Sequence, residues 1–352
     1  MKQAAAALAA LFLIGAQAET PRTNPVSAPA PGTPPAGMDT DLHYDASVAH
    51  PAYPSRHPRI LFDAAHRNYH LPDGRYRPFA DLIRNDGYRI ETNDRPFSAE
   101  SLAGHDVLVI ANARVPEGGE GASSGAFTEA ECRAVAEWVR RGGALLLVAD
   151  HAPFGGAAAP LAAAFGVDMS RGVTADPAHK DPDSLNPTFI LYTRDDHMLG
   201  AHPILEGRDA SERVGRVMTF SGQSLRGPEG STILLALGEA AVDRQQPTQA
   251  EMEAAIAAAR EQARREGQAA PQQVRMPLRA PPAPAAGRAQ GIAFNFGRGR
   301  VVVLGEAAML SAQYVDMPPL NRTHYPIGLN HPGIDNRQFA LNLMHWLSRL
   351  IG

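Results

Sequence analysis

Apolar positions along this chain fall into short unalternated runs separated by segments of helical spacing. Ala144 to Ala149 carries no polar alternation, which reads as a strand covered on both faces, and it stops abruptly at Asp150 and His151 before a Pro153, Gly155 and Gly156 turn. Runs of the same kind occupy Arg59 to Asp63, Val107 to Ile110 and Arg300 to Leu304, and a further strand is expected at Tyr88 to Glu91. Gly291 to Phe296 and Arg300 to Leu304 flank Gly297-Arg298-Gly299, a hairpin signal. Val214 to Phe220 and Thr232 to Leu237 also read as strands. Phe79, Leu82 and Ile83 stand at i, i+3 and i+4 with Gly87 as the stop. Thr128 to Glu131 forms a capping box that opens a helix burying Cys132, Val135, Ala136 and Val139, and Gly142-Gly143 closes it. A short helix is expected from Pro160 to Phe165, and a last one from Asp335 burying Phe339, Leu343, Trp346, Leu347 and Leu350. Strand alternating with helix implies an open, mostly parallel α/β sheet with helices on both faces.

The two ends of the pattern differ from its middle. Met1 to Ala18 has the charged start, apolar centre and small-x-small end of a secretory signal peptide, with cleavage expected after Ala18. Its apolar part is well short of the roughly 20 residues that span a bilayer, so the mature chain is expected to be exported, periplasmic and without a membrane span. Residues 19–58, rich in Pro, Ala, Ser and Thr, read as a linker, which leaves 59–352 as the α/β domain. Within it, residues 243–288 change composition to an Ala/Glu/Arg/Gln helix opening at Thr248 and a Pro/Ala-rich tail; the apolar stripe (Met252, Ile256) is thin, as in an exposed insertion. A net charge of -4 gives no footprint for nucleic acid. The lone cysteine, Cys132, cannot form an internal disulfide and reads as a buried thiol.

Candidate chemistry gathers where strands stop. Four apolar strands end in Asp63, Asn112, Asp150 with His151, and Glu306, and parallel neighbours would bring them to one sheet edge, where open α/β sheets bind ligands. His66 and His70 follow the first of these ends, while Gln223, in the turn that begins Ser221-Gly222, and His331, before the last helix, are further ligand-binding candidates. Carboxylates crowded in a crevice either raise one another's pKa toward a general-acid role or call for a cation. Two readings therefore stand: Asp63, Asp150, His151 and Glu306 hold a divalent metal that activates water, or one carboxylate or His151 is a general base without metal. Acids at strand ends also cap helices, a purely structural alternative. The partner in either functional reading is a small polar molecule or glycan.

The order of these pieces resembles the class I glutamine-amidotransferase-like superfamily of flavodoxin-like domains, in the branch of trehalose-utilisation, gliding-motility and intraflagellar-transport proteins. Arg59 to Asp63, Asp106 to Ile110, the helix into Gly142-Gly143, Ala144 to Asp150, His202-Pro203-Ile204 and Asn342 to Leu347 carry the resemblance. It implies a flavodoxin-like fold. Amidotransferases of this class hold a Cys at the elbow after the strand resembling Ala144 to Ala149; here Asp150 and His151 stand there, so the resemblance argues against glutamine hydrolysis. The expected function is a hydrolase-like one on a polar envelope or carbohydrate-type ligand, with a non-catalytic ligand-binding or scaffold domain as the alternative.

Overall fold

A computed structural model describes residues 38–116, 125–245, 249–267, 281–317 and 322–352. The expected signal peptide, linker residues 19–37, Thr248 and the side chains of Met252 and Ile256 lie outside the described residues. Met38–Thr40 (β1) is followed by Arg59–Asp63 (β2), helix Arg77–Asn85 (α1), Arg89–Asn93 (β3) and Val107–Ala111 (β4). Helix Glu129–Arg140 (α2), Ala144–Val148 (β5) and helix Phe154–Ala164 (α3) come next. Ala289–Phe296 (β6), Gly299–Leu304 (β7), Ala312–Met317 (β8), Arg322–Gly328 (β9) and helix Asn336–Leu347 (α4) complete the elements that position the site.

The principal sheet runs β3-β2-β4-β5-β7-β6 before continuing into shorter strands. Its first five strands are mutually parallel, and β6 joins β7 as the antiparallel hairpin expected around Gly297. Strand parity divides the core in two. Ile60, Phe62, Val107, Val109, Leu146, Val148, Val302 and Leu304 pack with Phe79, Leu82 and Ile83 of α1 and Phe339, Leu343 and Trp346 of α4. Leu61, Leu108, Ile110, Leu145, Leu147, Val301 and Val303 pack on the opposite face with Val135, Ala136 and Val139 of α2 and Leu161 of α3. Helices thus cover both faces, which is why these strands could dispense with polar alternation.

Local signals act as the sequence implies. The Thr128 hydroxyl accepts from the Glu131 N–H at 3.3 Å and the Glu131 carboxylate accepts from the Thr128 N–H at 3.0 Å. Gly142, at φ +124°, makes the turn from α2 into β5 in a conformation that side-chain-bearing residues avoid.

Three boundaries need correction. Residues 38–58 are not linker: β1 pairs antiparallel with β8, Ala46 and Tyr53 are buried, and the Tyr53 hydroxyl bonds the Ser348 hydroxyl at 2.8 Å. Low apolar content hid a segment that packs by a few anchors. The insertion is narrower than 243–288, because Asp243 accepts from the Thr174 and Ser224 hydroxyls, each at 2.6 Å, and Arg288 bonds Asp168 at 2.8 Å. Arg244–Pro281 falls, with Met1–Ala28, in a unit separate from the rest, whose described part is chiefly the helix Gln249–Arg265 with intrahelical Glu261–Arg264 and Glu261–Arg265 pairs. At the other end α4 stops at Leu347, leaving Leu350 exposed rather than buried.

Candidate active site

The sheet places β2, β4, β5 and β7 side by side, so Asp63, Asn112, Asp150 and Glu306 all leave from the carboxyl edge. Register decides which of them meet. Val148 stands level with Leu304, so Asp150 and Glu306, each two residues further on, leave adjacent strands at the same level. Asp63 is level only with Ile110 and Leu147, three residues short of Asp150 and two strands away. It also has the parity of Leu61, toward α2, whereas Asp150 and Glu306 continue the parity of Val148 and Leu304.

The elbow at Asp150 is held from two sides, by Asn112 and by Gln223. Its N–H donates to the Asn112 side-chain oxygen at 2.8 Å, and Asn112 adopts φ 56°, a left-handed conformation that Asn tolerates better than most residues. The Gln223 amide donates to the carbonyls of Ala149 at 2.8 Å and Asp150 at 3.0 Å, while its backbone N–H donates to the Gly305 carbonyl at 2.7 Å. Gln223 is therefore a fully buried clamp joining the ends of β5 and β7. Gly222 lets this clamp close: a Cβ there would stand 2.5 Å from the Gly305 carbonyl and 2.6 Å from Glu306 Cβ.

Burial sets the electrostatics of the pair. Glu306 is 0% exposed, and its oxygens accept from the N–H groups of Ala308 at 2.6 Å and Met309 at 2.8 Å. Asp150 keeps 15% of its side chain exposed and accepts from the His151 N–H at 2.8 Å. Burial pushes the Asp150 carboxyl up to about 7, against the hydrogen bonds that favour its charge. Burial and then the Asp150 charge push Glu306 up to about 8. Two carboxylates so placed titrate together, each disfavouring the ionisation of the other. Tyr76, whose hydroxyl donates to the Ala307 carbonyl at 2.8 Å, and Tyr192 wall the pair in; burial, then nearby carboxylates, hold both phenols protonated. Gln290 accepts from the Tyr192 and Thr219 hydroxyls, yet its fully buried Nε2, 2.9 Å from that same Gly222 Cβ position, has no partner.

The remaining candidates separate from this pair. Asp63 binds His66 Nδ1 at 2.9 Å and the Asn68 amide at 2.6 Å, while His66 Nε2 meets Glu131 at 2.8 Å between the rings of Phe97 and Phe127. That bridge fastens β2 to the start of α2, and it keeps Asp63 and His66 apart from the Asp150–Glu306 pair. Burial opposes the His66 charge, but the bonds and charges of Asp63 and Glu131 outweigh it and raise its pKa. The four-residue metal set fails on geometry for the same reason. Among the described residues no group of three or more His, Cys, Asp or Glu side chains is close enough to hold an ion. His151 Nδ1 bonds the Ala152 carbonyl at 2.8 Å and its Nε2 lies 3.8 Å from Asp150. His70 is buried 3.2 Å from the Asn112 amide, and burial, then Arg75 and Arg114, lower its pKa to about 3, so it is uncharged. His331 sits elsewhere, 3.0 Å from the Tyr325 hydroxyl. Cys132 is buried in α2, and burial followed by the Glu131 charge raises its thiol pKa. A concavity of about 700 Å³ beside His202, Arg208 and Ile351 lies near Arg300, at the opposite end of β7 from Glu306. Tyr76, Gln290, Arg75 and Arg114 were not legible as site residues, because none lies at a strand exit.

No family model matches this chain, and no curated protein matches it by sequence. Among solved structures it is similar to the mmIFT52 N-terminal domain, at 14% identity, with 82% of this chain and 97% of that one covered and a TM-score of 0.51. A cytoplasmic protein from Salmonella typhimurium LT2 matches at 13% identity over 82% of this chain and 99% of that one, with a TM-score of 0.43. A ThuA-like protein from Bacteroides uniformis matches at 10% identity over 85% and 93%, with a TM-score of 0.38. The first of these likenesses shows a shared fold, and no activity follows from it. No helix among the described residues is long and apolar enough to cross a membrane.

Proposed function

We propose that this chain is an exported, hydrolase-like protein that acts on a polar envelope or carbohydrate-type ligand, with Asp150 transferring the proton. The observation that carries this reading is the pair itself: two carboxylates leave adjacent parallel strands, one sealed and one reaching solvent, where burial raises both pKa values and favours a retained proton. A carboxyl kept protonated near pH 7 can donate to a leaving oxygen and, once ionised, take a proton from attacking water. Glu306 touches no solvent and acts through Asp150, as a positioning residue that keeps proton affinity high. Glycosidic and ester bonds, whose leaving oxygen needs a proton, suit such a group. Export rests on the signal-like character of Met1 to Ala18.

The alternative, a non-catalytic ligand-binding or scaffold domain, is favoured by one observation: both Glu306 oxygens already serve backbone N–H groups, as a structural cap would. Turnover decides between the two. Purified protein is assayed on p-nitrophenyl glycosides and acetylated amino-sugar oligomers between about pH 4 and pH 9, with release of nitrophenol or acetate as the readout. A bell-shaped profile and a loss of about 100-fold or more in Asp150→Asn are expected. No turnover above the Asp150→Asn level on any substrate would leave the non-catalytic reading.

A further inference from the structure

We infer that the crevice beside Asp150 holds an oxyanion, the carboxylate or phosphate of the bound ligand, on the guanidinium groups of Arg75 and Arg114. This deepens the reading above by naming a chemical feature of the ligand. Arg75 is only 2% exposed. Its Nη1 donates to the Gln313 side-chain oxygen at 2.7 Å and lies 3.2 Å from Met38 Sδ, but its Nε and Nη2 are buried with no hydrogen-bond partner. Among the described residues neither Arg75 nor Arg114 forms an ion pair within 4.0 Å. Burial opposes the Arg75 charge, and only Tyr69 and the more distant Asp39 favour it; a buried guanidinium that no carboxylate among the described residues pairs directly is suited to an anion from outside.

The surroundings give that anion a place. Tyr69 carries the Arg75 guanidinium 4.5 Å from its ring centre and that of Arg114 at 4.6 Å, which offsets part of the desolvation without supplying a negative charge. Phe154 stacks on Tyr69 at 5.6 Å. Tyr69, Arg114 and Phe154 are half-buried, so they form the shelf that solvent reaches, with Arg75 beneath it. The shelf adjoins the acid pair through Asn112, whose carbonyl accepts from the Tyr69 N–H at 2.9 Å and whose side chain receives the Asp150 N–H. His70, uncharged between them, does not compete for the anion. A guanidinium offers parallel N–H groups that match the two oxygens of a carboxylate or phosphate, and Nε with Nη2 is such a free edge on Arg75.

The test is titration calorimetry of the full chain with inorganic phosphate and with acetate at constant ionic strength, with circular dichroism of every variant as the folding control. Wild type is expected to bind at least one of the two anions, and Arg114→Gln and Arg75→Met to weaken that binding about tenfold or more, the loss of one charge-assisted bond. Asp150→Asn should leave anion binding within about twofold while abolishing turnover, so a failed hydrolase reading and a failed anion site remain distinguishable. Because Arg75 forms no ion pair within 4.0 Å among the described residues, Arg75→Met is expected to melt no lower than wild type without anion. Should that variant misfold, Arg75 is a structural cation and its part in the proposal falls; Arg114→Gln then decides the rest. Wild type that binds neither anion, or Arg114→Gln that binds as wild type does, overturns the inference.

Discussion

Replacing Asp150 by Asn removes one carboxylate from the pair with little change in shape, and its effect on stability should reverse sign with pH. Both folded-state pKa values, about 7 for Asp150 and about 8 for Glu306, lie above the ordinary carboxylate range. The folded chain therefore binds these protons more tightly than the unfolded chain. That contribution to stability is fully present below about pH 4 and is lost as pH rises through the folded values. At a separation near the strand spacing of about 5 Å and an effective dielectric of about 20, two ionised carboxylates repel by about 3 kcal/mol. Asparagine relieves that repulsion but has one acceptor oxygen, so a bond from the His151 or Ala307 N–H is lost at a cost of about 1 kcal/mol. The variant should then be about 2 kcal/mol more stable than wild type at about pH 8.5 and about 1 kcal/mol less stable at about pH 5. Urea unfolding followed by the fluorescence of Trp138 and Trp346 reads both values. A difference of one sign and size at both pH values would show that the two carboxylates do not share a proton, and the proton-transfer role of Asp150 would go with it.

Two further outcomes follow from the neighbouring groups. His66→Ala leaves Asp63 and Glu131 facing each other without their bridge, so it should cost about 3 kcal/mol in urea unfolding. The loss should be larger at about pH 6 than at about pH 8, because the raised His66 pKa makes a contribution that is lost as pH rises through the folded value. Cys132 should react with an aromatic disulfide reagent far more slowly in the native protein than in about 6 M urea, since burial and the Glu131 charge both disfavour the thiolate. Equal rates would place the thiol at the surface.

Local chemistry made much of this fold legible. Unalternated apolar runs at Ala144 to Val148 and Val107 to Ala111 need cover on both faces, and the Thr128 capping box and the Gly142 turn act within a few residues, so no distant partner was required to find them. Low apolar content misled at 38–58, because Ala46 and Tyr53 anchor that segment through contacts far away in sequence.

The sequence by itself determined that Asp63, Asn112, Asp150 and Glu306 stand at strand exits, since each apolar run ends where its polar residue begins. Only the tertiary structure decided which of them face one another. Register puts Asp150 opposite Glu306 and leaves Asp63 three residues short, and the two-residue period of a strand then turns Asp63 to the other side of the sheet. Arg114 likewise reaches Tyr69 only through the fold, from the exit of β4, whereas Arg75 meets the same ring across a local turn six residues on.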